Sequence, residues 1–167
     1  MRERALLELL RGRGAHADAV QCFRGLSAEL SGRKPDGFPY SVWQLLGHLN
    51  YWMGYELARI GGRPHAYPEH AGLSWPAEAS PGDAERWEAG IARFEKTLDE
   101  LSQLAKSGPE NLDRPVAPME AGEAAHDATL RGVLWQTAVH NSYHLGQVAL
   151  LRRVLGAWPP PGGGDTW

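Results

Sequence analysis

His140 and His144 are the pair in this 167-residue chain whose type and spacing most directly suggest chemistry. Four apart on a helix, two imidazoles lie one above the other on one face, and at that spacing they can share a metal ion. Spacing alone is a weak signal, because seven histidines in 167 positions give about a quarter of such a pair by chance. The setting is stronger. Both lie in the longest stretch free of Asp, Glu, Lys and Arg, Gly132 to Leu151, where a buried polar group needs a partner and no acid is near. His48 is the natural third member, midway along a second segment in which Glu56 is the only charge between Val42 and Ala58. Taken alone, His48 has a second reading, a core histidine bonded to a Ser or Tyr. Three imidazoles make an open metal site with a position left for water or substrate.

Three neutral ligands leave the full +2 charge on a divalent metal, which favours an anion at the open position: hydroxide, carboxylate or thiolate. Metal lowers the pKa of a coordinated water or thiol, so two reaction classes follow, hydrolysis and thiol-dependent transfer or isomerisation. Hydrolysis asks for a proton acceptor. The only acid in these segments is Glu56, two turns beyond His48 and expected on a different face, which favours the thiol chemistry. Helical spacing places Tyr51, Trp52 and Tyr55 beyond His48, and Asn141, Tyr143 and Gln147 beside the His140–His144 pair, as groups that orient ligands or line a pocket; the first reading of Trp52 and Tyr55 is simply core. His16 falls on the inward stripe of the first helix, where it either approaches the site as an acid/base group or caps a helix. His65, His70 and His126 sit in loops. Glu123 and His126 spell Glu-x-x-His once, in a loop, whereas di-iron bundles need two copies and two further glutamates on helices. His-Glu-x-x-His is absent. Cys22 reads as a small buried hydrophobe.

Four helical segments must position these groups. The first spans Arg2 to Leu30, cut by Gly12 and Gly14 into a short piece and a longer one carrying Val20, Phe23, Leu26 and Leu30. The second starts at Ser41, with Gln44 completing a capping box, and stops at Gly61-Gly62. The third starts at Ser80-Pro81 and runs to about Lys106, with Trp87, Ile91, Phe94, Leu98, Leu101 and Ala105 on a narrow apolar stripe and charge on the opposite face. The fourth runs from the Thr129 cap to about Leu155 as a buried helix, its Gly132 and Gly146 read as close helix approach or room beside the metal. Two loops of about twenty residues separate these helices and allow an order other than up-down-up-down. The expectation is all-α: one four-helix bundle over residues 1–157 and a Pro/Gly-rich tail over 158–167.

Composition bounds the function classes. Lys plus Arg is 17 and Asp plus Glu 20, a net charge of −3, without the basic excess of a nucleic-acid binder or any attraction to anionic lipid. The charged start, Met1 to Glu8, does not read as a signal peptide, and the polar groups within Gly132–Leu151 are costly in hydrocarbon. One cysteine excludes an internal disulfide and Cys-rich zinc motifs. A cytoplasmic location, with no nucleic-acid or membrane partner, is expected.

Three stretches resemble one known family: Ser41 to Leu49 (SVWQLLGHL), Ala138 to Gln147 (AVHNSYHLGQ) and Leu151 to Trp158 (LRRVLGAW). Leu73-Ser74-Trp75-Pro76 and the ending Gly164-Asp165-Thr166-Trp167 add to the likeness. Together they resemble the DinB-like, damage-inducible (YfiT-type) superfamily over nearly the whole chain. The resemblance implies a four-helix bundle holding a divalent transition metal on His48, His140 and His144. Zinc or nickel is found in crystals of the family, homodimers are frequent, and some relatives are transferases or isomerases that use a low-molecular-weight thiol. The narrow stripe of the third helix leaves less apolar surface for a dimer than the second does. The expected function is metal-dependent action on a small molecule, first as a thiol-dependent S-transferase or isomerase and second as a hydrolase. A non-catalytic metal-binding stress-response dimer is the reading of another class, and a fourth protein ligand such as Glu123 or His126 would favour it by closing the site.

Overall fold

A computed structural model describes residues 2–63, 66–117 and 129–164. Among these residues every regular element is helical: α1 (Arg2–Leu10), α2 (Ala28–Gly32), α3 (Val42–Ile60), a 3-10 turn at Ala71–Ser74, α4 (Ala84–Ala105), α5 (Pro109–Leu112) and α6 (Leu130–Val154). One isolated bridge pairs Pro115 with Thr129. Ser41 caps α3 as its sequence predicts: its hydroxyl accepts from the Gln44 amide and the Gln44 side chain accepts from the Ser41 amide. The Thr129 hydroxyl accepts from the Gly132 amide to start α6.

α1 packs on α4 and α6, and α3 packs on the same two helices, so the order around the bundle is α1, α4, α3, α6. Chain direction follows from the contacts. Trp43 meets Trp87, the Asn50 amide donates to the Gly90 carbonyl and Gly54 abuts Arg93, so α3 and α4 run parallel. His48 meets His144 and the Met53 sulfur accepts from Asn141, so α6 runs antiparallel to both. A chain that leaves α3 at one end and begins α4 at the other must travel back along the bundle. Residues 61–83 make that return, which is why the loop is long and why it crosses the bundle surface. The core beneath is apolar and fully buried, with Phe23, Leu46, Leu49, Phe94 and Leu98 at its centre and Phe23 edge-on to Phe94 at 5.2 Å.

Four local expectations are corrected. The longer piece of the first helix is not a helix: residues 11–25 form turns and only α2 is helical before Arg33. Gly12, Gly14 and Gly25 all have positive φ, near 75°, which a continuing right-handed helix cannot contain. Asp18 instead caps a single turn, accepting from the Val20 and Gln21 amides. Val20, Phe23 and Leu26 are buried all the same. α4 begins at Ala84, not at Pro81, because Gly82 sits at φ 87° and Asp83 caps the helix by accepting from the Arg86 amide. Gly146 does not mark a close approach within the chain, since a Cβ there would meet nothing within 4 Å. Nor is α6 buried all round. Thr137, Asn141 and His144 face inward, while Trp135, Val139, Tyr143, Leu150 and Val154 are each more than half exposed. The segment 157–161 lies against the bundle, with Pro160 buried and Pro161 against Gly25.

Candidate metal centre

α3 and α6 bring His48, His140 and His144 together, with one nitrogen of each within 4.8 Å of the others. Ring centres lie 4.6 Å apart for His140 and His144, 4.7 Å for His48 and His144, and 5.2 Å for His48 and His140. The hydrogen bonds around the rings fix which nitrogens face inward. The Ser74 hydroxyl donates its only hydrogen to the Ala71 carbonyl at 2.7 Å. It therefore accepts from His48 Nδ1–H at 2.9 Å, which leaves His48 Nε2 bare. The Gln147 carbonyl oxygen lies 2.9 Å from His144 Nδ1 and can only accept, so His144 Nε2 is bare as well. His48 Nε2 stands 3.3 Å from His140 Nε2. Two ring nitrogens at that distance cannot oppose lone pair to lone pair; they share a proton or a cation.

Burial sets the charge state. Desolvation first, then the neighbouring His144 and His140, pushes His48 down to about 3. Desolvation and His144 push His140 down to about 4, and desolvation lowers His144. At neutral pH all three imidazoles are uncharged, the form that ligates metal. A tetrahedral ion with metal–nitrogen bonds of 2.0–2.1 Å has ligand nitrogens about 3.3–3.4 Å apart, which is the His48–His140 spacing. Three neutral nitrogen donors with two of them oriented from behind are a donor set that fits zinc, nickel or a similar borderline ion.

The return loop holds the back of the site. Trp75 stacks on His48 at 3.8 Å and on Tyr40 at 3.6 Å, and the Gln44 amide donates to the Pro76 carbonyl. Residues 71–76 thus form a strap that fixes one histidine through a hydroxyl and an aromatic plane. In front lies a cleft of about 260 Å³ lined by His48, His140, Trp52, Met53, Tyr67, Thr137 and Asn141, and also by Gln136 and Glu56. Glu56 corrects an expectation. Eight residues past His48 it is rotated only about 80° around the helix, so it shares the cleft rather than facing away. It forms a buried ion pair with Arg59 at 2.8 Å, and Arg59 also donates to the Ala117 carbonyl.

A sequence model of the DinB superfamily matches residues 12–148. The chain belongs to the DinB superfamily. The match takes in α3, α4, the return loop and α6 through Val148, and so all three histidines. No curated protein matches the chain. In this DinB protein the other anticipated residues divide by place. Trp52 and Asn141 line the cleft, Tyr55 is buried and packs edge-on to Trp52, and Gln147 bonds His144. Tyr51 lies on a different surface, a groove between α3 and α4. Tyr143 is two-thirds exposed with its ring edge-on to His144. His16 is not in the cleft: its Nδ1 bonds the Ala17 carbonyl and its Nε2 bonds the Ser142 hydroxyl. His70 is exposed, while His65, Glu123 and His126 lie outside the described residues. Ser74 and Trp75 were given no role by spacing, although a serine partner was the alternative reading of His48. An aromatic residue between serine and proline in a polar loop was the available signal.

Proposed function

We propose that this DinB protein is a metal-dependent enzyme acting on a small molecule with an anionic group, by thiol-dependent transfer or isomerisation. The observation that carries this reading is the convergence of three uncharged imidazoles within ligand distance of one another, two of them, His48 and His140, on the wall of a cleft. The three protein ligands lie beside a cleft that can admit a small molecule, and an open coordination position favours turnover over a structural role. When bound, a divalent metal there supplies the Lewis-acid charge that lowers the pKa of a coordinated thiol or water. His48, His140 and His144 hold it; Ser74 and Gln147 keep the ligating nitrogens deprotonated; Trp52, Met53 and Tyr67 exclude water from one side of the substrate. Glu56 supports hydrolysis as the second reading, because it brings a carboxylate to the cleft wall. A low-molecular-weight thiol is the proposed cosubstrate and the cytoplasm the proposed location. A second copy on the exposed face of α6 is the proposed partner.

Metal content per chain, measured by mass spectrometry on tag-free protein beside His144→Ala, tests the centre. About one equivalent in the parent and little in the variant is expected; none in the parent after incubation with zinc or nickel overturns it. Cobalt(II)-loaded protein titrated with cysteine, glutathione and acetate then separates the chemistries. A sulfur-to-cobalt charge-transfer band supports the thiol reading. Its absence, together with ester hydrolysis lost in Glu56→Gln, moves the assignment to hydrolase.

A further inference from the structure

His16 and Ser142 take no part in the metal centre, yet they are paired as a base and a hydroxyl nucleophile are. The Ala17 carbonyl can only accept, so its 2.8 Å contact with His16 Nδ1 places the ring hydrogen there. In the neutral ring Nε2 then holds a lone pair, and the Ser142 hydroxyl, 2.9 Å away, donates to it. A backbone carbonyl thus stands where an aspartate stands behind the histidine of a Ser-His-Asp triad, fixing the tautomer and aiming the base at the hydroxyl. Hydroxyls inside a helix often turn back to the carbonyl four residues earlier. Thr137 on α6 and Ser102 on α4 do so; Ser142 gives its hydrogen to His16 instead.

The pair opens on a pocket. A concavity of about 180 Å³ lies between α6, the turns of residues 11–25 and the C-terminal segment, with His16, Cys22, Ser142, Gly146, Ala149 and Trp158 on its walls. It shares no lining residue with the metal cleft. His16 and Ser142 are both half-buried, so a ligand in the pocket can reach them. One turn past Ser142, Gly146 brings no side chain, and a Cβ there would meet nothing within 4 Å. A cavity of about 150 Å³ holds benzene, so a short acyl chain has room. A nucleophile within reach of a base, the base oriented by a third group, is the arrangement of covalent catalysis.

We propose that Ser142, with His16 as its general base, takes a short acyl group from an activated ester in this pocket. Oγ attacks the ester carbonyl carbon as its proton passes to His16 Nε2. The bond from that carbon to the leaving oxygen breaks, and the leaving group departs with the proton from His16. Water then attacks the acyl carbon, giving its proton to the same nitrogen; the carbon–Oγ bond breaks, the proton returns to Oγ and the acid is released. The site stands independently of the reaction at the metal.

Zinc-loaded protein treated with 4-nitrophenyl acetate, or with methanesulfonyl fluoride, whose serine adduct does not hydrolyse, tests the proposal. The readout is a peptide map by mass spectrometry after an acid quench; hydrolysis at the metal leaves no adduct on Ser142. Modification of Ser142 ahead of the lysines is expected. It is expected to be absent in Ser142→Ala and about a hundredfold or more slower in His16→Gln, with circular dichroism and zinc content as in the parent. The proposal is overturned if neither reagent modifies Ser142, if Cys22 carries the adduct instead, or if His16→Gln reacts at the parent's rate. The map of the parent protein decides the point even where a variant fails to fold.

Discussion

At the residue scale, His48 shows how much a ligand owes to what stands behind it. Its imidazole is held by one hydroxyl, and that hydroxyl is itself oriented by the Ala71 carbonyl. Ser74→Ala removes the acceptor for Nδ1–H and frees the ring to take the other tautomer. Zinc affinity measured by chelator competition is expected to fall 10–100-fold, with the helical circular dichroism unchanged; unaltered affinity would show that Trp75 stacking alone positions the ring. The lowered histidine pKa values have a signed consequence. In the unfolded chain each imidazole takes a proton near 6.5, whereas the folded metal-free protein resists protonation until about 4 at His140 and about 3 at His48. Between those values the unfolded state binds more protons, so stability is full above 6.5 and is lost as pH falls toward 4 and 3. Urea unfolding of metal-free protein at pH 7.5 and pH 5 is expected to show this loss, and His48→Gln to flatten it. Glu56 is set by its partner: Glu56→Ala leaves Arg59, 2% exposed, as a buried unpaired charge, with an expected cost of about 3–5 kcal/mol in the same unfolding assay.

At the scale of elements, the return loop is what turns a bundle into a site. Parallel packing of α3 and α4 obliges residues 61–83 to retrace the length of α3, and that path delivers Ser74 and Trp75 to His48. The fit depends on Gly47, where a Cβ would collide with the Pro76 ring. Gly47→Ala is expected to cost about 1–3 kcal/mol as overpacking and to weaken zinc binding as well, because the displaced strap carries Ser74 with it. A calorimetric melt and a chelator titration on one sample check both effects; lost stability with metal affinity intact would show that the strap yields at Pro76 without moving Ser74. The turns of residues 11–25 teach a related lesson. Val20, Phe23 and Leu26 have helical spacing and are buried, but three glycines at positive φ fold the segment as separate turns.

At the scale of the whole molecule, α6 is turned partly inside out. Its polar residues Thr137, Asn141 and His144 point to the core, and Trp135, Val139, Tyr143 and Leu150 point to solvent. Exposed apolar stripes of this extent mark contact surfaces, and Gly146 within the stripe faces open space, room for a second helix to approach. The proposed homodimer uses this face. Sedimentation velocity is expected to show a dimer for the parent chain and a monomer for Val139→Glu/Tyr143→Glu, with the unfolding midpoint at low protein concentration changed little. A monomeric parent would remove the dimer reading and leave the metal centre untouched.

The helical class, the caps at Ser41 and Thr129 and the three histidines were legible in the order of residues alone, because helix periodicity and the cost of burying an imidazole are local, one-dimensional constraints. The resemblance of three stretches to the DinB superfamily was carried by the same residues. The rest depends on which helices neighbour which and in which direction. That is set by packing of whole faces, and it determines that a loop serine orients His48, that Glu56 shares the cleft, that His16 goes to Ser142 and Tyr51 to the groove, and that α6, which holds the longest uncharged stretch, shows solvent Trp135 and Tyr143.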